Sequence, residues 1–187
     1  MFGEHPLDNE DYGHIVNAKH FARVRGLIDP DKVIFGGQAD ERTLRIQPTI
    51  MDRVTADDAV MQEEIFGPLL PVIAYDSIDE ALAFVNGREH PLALYLFSEN
   101  LALQKRVLAS VPFGGGCIND TIVHLATSRM GFGGVGHSGM GSYHGKKSFD
   151  TFSHEKSVLK KSTRIDMPVR YMPYTPLKDR LLRVFLR

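Results

Sequence analysis

The chain has 187 residues, and 43% of them are hydrophobic, so it is long enough to bury a core and is expected to be globular. Its 22 basic and 23 acidic residues give a formal charge of −1 without a basic stripe or an acidic tail, which excludes nucleic acid as an expected partner. One cysteine cannot form an internal disulfide, and the sequence has neither an apolar signal region nor a run of the ~18 apolar residues that a transmembrane helix needs, so the expected location is the cytosol.

The first predicted elements are a helix and several short strands. Apolar residues recur at helical spacing from Asp11 to Ile28, and Asp29-Pro30 ends that segment. The stretches KVIFGG and RTLRIQPTIMDRV then predict short β segments around the polar turn QADE, with Pro48 placing a bend or an edge in the second stretch.

The middle of the chain predicts a β-α-β-α-β arrangement. The stretches LLPVIAYD, PLALYLFS and GGCINDTIV are apolar, as buried strands are. Ser77 and Glu80 form a capping-box pattern that opens the first connecting helix, and Ser98 is the predicted N-cap of the second. Apolar strands joined by helices favour parallel pairing with right-handed crossovers, so the expected fold class is α/β with a parallel sheet.

A glycine-rich segment follows. MGFGGVGHSGMG contains six glycines in twelve residues, a composition typical of tight turns or of close approach by another backbone. Its GFGGVG satisfies the spacing G-x-G-x-x-G, but the dinucleotide fingerprint needs a helix N-terminus behind it to hold the pyrophosphate, and more glycine follows instead. We therefore do not interpret it as a phosphate-binding loop.

The C-terminal tail ends in a short, basic, amphipathic helix, LKDRLLRVFLR. Thr175 is its predicted N-cap, and Pro176 occupies its first turn.

Three further sequence features, a set of histidines, the single cysteine and a pair of glutamates, can each be explained either by a functional role or by a simpler structural one. His137, His144 and His154 have spacings that fit no common ligand pattern, so no metal is expected. Cys117, in the glycine-rich stretch SVPFGGGCINDTIVH, has the surroundings of an enzyme nucleophile. The stretch MQEEIFGP places two carboxylates before an aromatic residue and a Gly-Pro turn, and its spacing alone leaves a functional turn and an ordinary surface turn equally open.

Four stretches together resemble the C-terminal part of an aldehyde dehydrogenase: DYGHIVNAKHFARV, EEIFGPLLPVIAYDSIDEALAFVN, PLALYLFS and GFGGVGHSGMGSYHGKKSFDTFSHEKSV. Within them, GMGSYHGKKSFDTFSH is similar to the class 3, fatty-aldehyde and coniferyl-aldehyde group. The resemblance runs in order from about Asp11 to about Val158. It implies that residues 1–160 are the C-terminal part of the catalytic domain and that residues 161–187 are a tail with an amphipathic helix.

The resemblance implies a reaction whose nucleophile lies elsewhere. In this family NAD or NADP accepts hydride after a cysteine attacks the aldehyde, and a glutamate activates the water that releases the carboxylate. The family's cysteine belongs to a G-Q-x-C motif upstream of the segment that matches DYGHIVNAKHF. No catalytic residue is therefore assigned here, and Cys117 is interpreted as a structural thiol that packs as a small apolar group. GGQAD echoes the motif, but Asp40 replaces the cysteine and the stretch lies on the wrong side of the match.

Cofactor and substrate residues are carried over by position. The resemblance implies that Glu64 accepts hydrogen bonds from the ribose hydroxyls on the nicotinamide side and that Phe66 packs near the nicotinamide ring. The expected apolar wall of the aldehyde pocket consists of Ile122, Leu125, Ala126 and Phe132. One departure from the family is Gly131, which stands where a proline usually precedes Phe-Gly-Gly and gives the loop more backbone freedom to lose on ordering.

The expected protein is the C-terminal portion of an NAD(P)-dependent aldehyde dehydrogenase, truncated before its nucleophile and inactive alone. Its expected partners are a small-molecule aldehyde and, in the parent enzyme, further copies of the subunit. The alternative is a short, catalytically dead paralogue that binds a full-length subunit through the tail helix and edge strands. A free-standing nucleotide-binding module is a third possibility, although no phosphate-binding loop is present. An in-frame G-Q-x-C segment upstream of Met1 in the gene would favour the first interpretation.

Overall fold

A computed structural model describes residues 2–185 of the chain. These residues form two compact units, one built from the residues up to His90 with Asn100–Pro112, and one from Pro91–Glu99 with the residues from Phe113 onward. The expected division into residues 1–160 and 161–187 concerns the domains of a complete enzyme, and it stays a prediction.

Both units combine helices with short strands. The first unit contains the helices α1 (Ala18–Gly26), α2 (Ile78–Asn86) and α3 (Leu101–Ser110) and the strands β1 (Val33–Phe35), β2 (Ala39–Asp40), β3 (Arg45–Ile46), β4 (Thr49–Met51) and β5 (Leu69–Pro71). The second unit contains β6 (Ala93–Leu96), β7 (Gly115–Ile118), α4 (Gly145–Thr151) and α5 (Pro176–Phe185). Short 3₁₀ turns are formed by Pro6–Asp8, Pro30–Lys32, Ala59–Met61, Val123–Leu125, Gly136–Ser138 and Pro168–Arg170.

The first unit is organised by a three-stranded sheet in the order β1-β4-β5. β1 pairs antiparallel with β4, and β4 pairs parallel with β5. β2 and β3 form a separate antiparallel pair, and the second predicted β stretch is interrupted at residues 47–48, so that β3 and β4 belong to different sheets. One core cluster joins α1 to these strands, and its fully buried members are Phe21, Val24, Ile46, Met51, Val54, Val60 and Leu69.

The polar turn predicted at QADE begins later than expected. Ala39–Asp40 is a strand, and the turn occupies residues 41–44. The Asp40 carboxylate explains the shift, because it accepts hydrogen bonds from the Arg42 backbone N–H at 2.9 Å and from the Thr43 hydroxyl at 2.8 Å. These bonds close the turn after the aspartate rather than around it, and they hold the pKa of Asp40 below its usual value, the Thr43 bond contributing most.

The second unit contains the predicted parallel pair. β6 and β7 lie in parallel register from Ala93 opposite Gly115 to Leu96 opposite Ile118, and α3 connects them along the chain. The α/β class and the parallel pairing of these two strands are therefore confirmed.

The predicted single sheet is not observed. The first of its three strands is reduced to Leu69–Pro71, and it pairs with β4 in the first unit instead of joining β6 and β7. β5 is an edge strand of its sheet within residues 2–185. Pro71 has no backbone N–H to donate, which suits an edge position and shortens the strand.

Two helices begin later than predicted, and asparagine explains both differences. α1 starts at Ala18 rather than at Asp11, because the Asn17 side chain accepts a hydrogen bond from the His20 N–H at 2.9 Å. α3 is capped by Asn100, whose Oδ1 accepts from the backbone N–H groups of the next turn at 3.0 and 3.1 Å. Ser98, the predicted cap, exchanges backbone hydrogen bonds with the Asn119 side chain instead.

The other predicted caps are present. The Ser77 hydroxyl accepts from the Glu80 N–H at 3.3 Å, and the Glu80 carboxylate accepts at 2.9 Å from the N–H of Asp76, one residue before the N-cap that a capping box would use. α5 begins at Pro176, and the Thr175 hydroxyl accepts from the Lys178 N–H at 3.3 Å. No helix among residues 2–185 is both long and apolar enough to cross a lipid bilayer.

Asp58 is expected to make the stability of the first unit depend on acid pH. Its carboxylate oxygens lie 2.6 and 2.5 Å from Lys32 Nζ, and one also accepts from the Thr55 N–H at 2.6 Å. The hydrogen bond from Lys32, and next that from Thr55, hold the pKa of Asp58 below its usual value of 3.8. Because the pKa is lowered on folding, the stabilisation is present above that usual value and is lost as the pH falls through the folded-state pKa.

Asp58→Asn should therefore lower stability at neutral pH and flatten its dependence on acid pH. Denaturant unfolding at a series of pH values tests this, with Asp57→Asn as the control because Asp57 is an exposed neighbour on the same turn. The interpretation fails if the two variants have the same unfolding free energy at every pH.

Candidate functional site

The turn before β5 carries the two residues expected to bind a dinucleotide. Glu64 is exposed, and none of the described residues donates a hydrogen bond to its carboxylate. Phe66 is 81% exposed, and its backbone lies in the left-handed region at φ +46°. The next residue is glycine, and a Cβ there would lie 2.6 Å from Val24 Cγ1 in α1, so a larger residue would displace that buried side chain.

An open cleft lies beside this turn. It has a volume of about 800 Å³, and the residues before and within α1, such as Val16 and His20, line it together with Glu64 and Phe66. An exposed carboxylate that can accept hydrogen bonds and an exposed aromatic ring suit a ribose diol and a nicotinamide ring. The residues of this cleft therefore fit the dinucleotide that the sequence implies.

Two arginines hold the backbone of this segment. Arg23, on α1, donates to the Glu63 carboxylate at 2.7 Å and to the backbone carbonyls of Glu64 at 3.4 Å and Ile65 at 2.6 Å. Arg88, just after α2, donates to the backbone carbonyl of Met61. Sequence reasoning missed both arginines, because nothing in their spacing relates them to a turn at residues 61–65.

The four residues expected in the aldehyde pocket all lie in the second unit. Ile122, at φ +62°, is 60% exposed, and Ala126 is exposed, while Leu125 and Phe132 are partly buried. The stretch from Ile122 to Ala126 is shaped by the 3₁₀ turn Val123–Leu125.

His124 connects this turn to Phe132. It is buried, with only 7% of its surface exposed, and its ring lies 5.8 Å from the rings of both Tyr95 and Phe132. The sequence analysis did not select His124, although a histidine inside the apolar run TIVHLA was a usable signal.

Cys117 lies on β7 and is partly buried. Its Sγ is 3.5 Å from Nδ1 of His124, and Nε2 of the same ring is buried without a hydrogen-bond partner among residues 2–185. The thiol, interpreted from the sequence as a small apolar packing group, therefore has an imidazole among its neighbours.

The glycine-rich segment folds back on itself. Phe132 and Tyr143 exchange backbone hydrogen bonds of 2.9 and 3.0 Å in an isolated antiparallel bridge. A Cβ at Gly133 would lie 2.0 Å from the carbonyl oxygen of Gly141. The missing side chain of Gly133 therefore lets another part of the same segment, and not a ligand, approach its backbone closely. His137, His144 and His154 belong to no group of three or more potential metal ligands in the part of the chain that the structure describes.

Comparisons with known proteins give a consistent result. The sequence profile described as the aldehyde dehydrogenase family matches residues 2–158. The 4,4'-diaponeurosporen-aldehyde dehydrogenase of Staphylococcus aureus is 53% identical over 176 residues, which are 93% of this chain and 38% of that protein. The dimeric, NADP-preferring aldehyde dehydrogenase of Rattus norvegicus is 52% identical over 87% of this chain and 36% of its own length.

Solved structures show the same relation. The substrate-bound state of Staphylococcus aureus AldH has a TM-score of 0.89 and 50% identity, and the match covers 100% of this chain and 41% of that one. An NAD+ complex of an aldehyde dehydrogenase from Bacillus cereus has a TM-score of 0.71 and 29% identity over 80% of this chain and 31% of its own. The chain thus spans well under half the length of the proteins that it matches.

The packing around His124 predicts unequal effects for the two members of the thiol–imidazole contact. His124→Ala should destabilise the chain by about 2–3 kcal/mol, because it removes a buried ring that contacts two aromatic neighbours. Cys117→Ser should cost about 1 kcal/mol or less, since the hydroxyl nearly preserves the volume and can bond to Nδ1. Thermal unfolding of both variants measures the difference, and equal losses would show that His124 does not anchor the turn.

Proposed function

Because the chain belongs to the aldehyde dehydrogenase family, we propose that it is the C-terminal part of an NAD(P)-dependent enzyme that oxidises an aldehyde to a carboxylate. The supporting observation is the similarity to the Staphylococcus aureus relative, which is 53% identical across 93% of this chain. The matched region is only 38% of that protein. A complete enzyme of this kind needs the upstream part that its relatives possess.

In the proposed reaction, the bound dinucleotide supplies the hydride acceptor. Glu64 accepts hydrogen bonds from the ribose hydroxyls on the nicotinamide side, and its exposed carboxylate is available for this contact. Phe66 packs near the nicotinamide ring and limits its orientation, for which its 81% exposure on the rim of the cleft is suitable. Both side chains act by binding and orientation, and neither transfers a proton.

The proposed substrate is a hydrophobic or aromatic aldehyde. Ile122, Leu125, Ala126 and Phe132 supply its apolar wall, and the exposed face of Ile122 is consistent with contact to an apolar ligand. The Staphylococcus aureus relative is named for one aldehyde, 4,4'-diaponeurosporen-aldehyde.

The complete enzyme is proposed to be a homo-oligomer that uses NAD or NADP. The Rattus norvegicus relative is described as dimeric and NADP-preferring, and a Bacillus cereus relative was solved with NAD+. The cytosol remains the predicted compartment.

A second candidate function is a catalytically dead interaction module. The apolar face of α5 favours it, since Leu177, Val184 and Phe185 are 68%, 70% and 67% exposed, an arrangement that suits docking on another subunit. This alternative predicts a complex with a full-length homologue rather than any turnover.

The chain alone should not oxidise aldehydes with either cofactor, because the nucleophile and the general base that the family uses match no residue in it. NAD(P)H formation in the presence of a hydrophobic aldehyde is the measurement. Turnover that scales with the amount of protein and disappears in Cys117→Ser would make Cys117 the nucleophile and overturn this assignment.

Glu64→Gln should impair cofactor binding in a completed enzyme, made by joining the upstream part of the Staphylococcus aureus relative to this chain. A carboxylate that binds ribose hydroxyls makes charge-assisted hydrogen bonds of about 1.5–3 kcal/mol, so the loss should be roughly tenfold to 150-fold in cofactor affinity.

Glu63→Gln is the matched comparison, because it removes the same charge one residue away while its amide oxygen can still accept from Arg23, so its effect on cofactor affinity should be smaller than that of Glu64→Gln. Cofactor dissociation constants for the two variants provide the comparison. If both substitutions prove harmless, the role carried over to Glu64 is wrong.

A further inference from the structure

Arg23 makes three contacts with the segment that bears Glu64 and Phe66. Its Nη1 donates to the Glu63 carboxylate at 2.7 Å and to the Glu64 carbonyl at 3.4 Å, and its Nη2 donates to the Ile65 carbonyl at 2.6 Å. Resting on the proposed function, we infer that Arg23 is a positioning residue, which fixes the Glu64–Phe66 turn in the geometry that receives the ribose and the nicotinamide ring.

Arginine is suited to this role by its shape. The guanidinium is a rigid, planar group with several N–H donors, so one side chain can hold successive acceptors at fixed relative positions. The Arg23 side chain is 26% exposed, so its hydrogen bonds are partly shielded from water. A lysine at the same position would offer a single ammonium on a flexible chain, and it could keep the contact with Glu63 while losing the contact with the Ile65 carbonyl.

The turn needs such support because its backbone conformation is costly. Phe66 has φ +46°, a region that an aromatic residue adopts only when the surroundings hold it there. Two neighbouring residues of α1 contact this turn. The guanidinium of Arg23 bonds to the Ile65 carbonyl, and the buried side chain of Val24 packs against Gly67.

The two neighbouring glutamates consequently have different tasks. Glu63 is engaged by Arg23 and belongs to the support of the turn. Glu64 contributes only its backbone carbonyl to that support, and its carboxylate is left for a ligand. The arrangement explains why a pair of carboxylates precedes Ile-Phe-Gly-Pro in this sequence, a point that spacing alone left open.

A double-mutant cycle tests whether Arg23 acts through Glu64. In the completed enzyme, Arg23→Lys should weaken cofactor binding about tenfold, because the substitution removes one hydrogen bond from a charged donor. The KM for the aldehyde should stay unchanged. In the Glu64→Gln background the same substitution should add less than about twofold, because coupled residues are non-additive. Arg25→Lys is the matched control, since Arg25 is an exposed arginine on the same helix.

A second measurement needs no cofactor. The chain contains no tryptophan, so Phe66→Trp introduces a single fluorescent reporter into the turn. Arg23→Lys should lower the fluorescence anisotropy of that tryptophan, and Arg25→Lys should not, while far-ultraviolet circular dichroism and the unfolding midpoint confirm that each variant is folded.

The outcomes separate the two proposals. An active completed enzyme in which Arg23→Lys equals Arg25→Lys in cofactor affinity overturns the role of Arg23 and leaves the proposed function intact. An inactive completed enzyme counts against the proposed function, and the tryptophan anisotropy then decides the role of Arg23 by itself. Additive effects in the double-mutant cycle would likewise overturn it, because they would show that Arg23 does not act through Glu64.

Discussion

The packing of α1 against the turn that precedes β5 is the contact on which the first unit and its candidate site depend. Val24 is completely buried and packs against Gly67, where a larger residue would displace it, and Phe21 and Val24 share one core cluster with the sheet strands. Because β5 also pairs with β4, the turn is fixed at one end by the sheet and at its centre by the helix. A rigid support of this kind lets two exposed side chains keep a defined geometry, which ligand binding requires.

In the second unit, a buried histidine, His124, anchors the turn that follows Ile122. The 3₁₀ turn that follows Ile122 packs against β7, and Ile122 itself has an unfavourable backbone conformation for a β-branched residue. His124 fills the space beneath this turn between Tyr95, Phe132 and Cys117. This buried ring thus joins the turn after Ile122 to Phe132 and to Cys117.

Much of the fold could be predicted because local chemistry determines it. The caps at Ser77 and Thr175 follow from residues that are close in sequence, and the parallel pair β6 and β7 follows from the pattern of two apolar stretches joined by a helix. The errors arose where two local signals competed: Asn17 and Asn100 capped helices for which other starting points were predicted. The division of the expected sheet could not be foreseen, because the partner of β5 is chosen by tertiary packing, which overrides strand propensity.

The candidate site was less accessible to sequence reasoning. The roles of Glu64 and Phe66 came from resemblance, since spacing could not distinguish their turn from an ordinary surface turn. Arg23 lies 40 residues before Glu63, and no periodicity relates positions so far apart. Contacts between residues so far apart in sequence become visible only in three dimensions, and here they show that Arg23 binds the carboxylate of Glu63 and not that of Glu64.

A crystal structure of the completed enzyme with its dinucleotide bound is the most direct test of this account. In that structure the Glu64 carboxylate should lie within hydrogen-bond distance of the ribose hydroxyls on the nicotinamide side, with Arg23 still bonded to the Glu63 carboxylate and the Ile65 carbonyl. A ribose bound away from Glu64, or a turn that releases Arg23 when the dinucleotide binds, would contradict it.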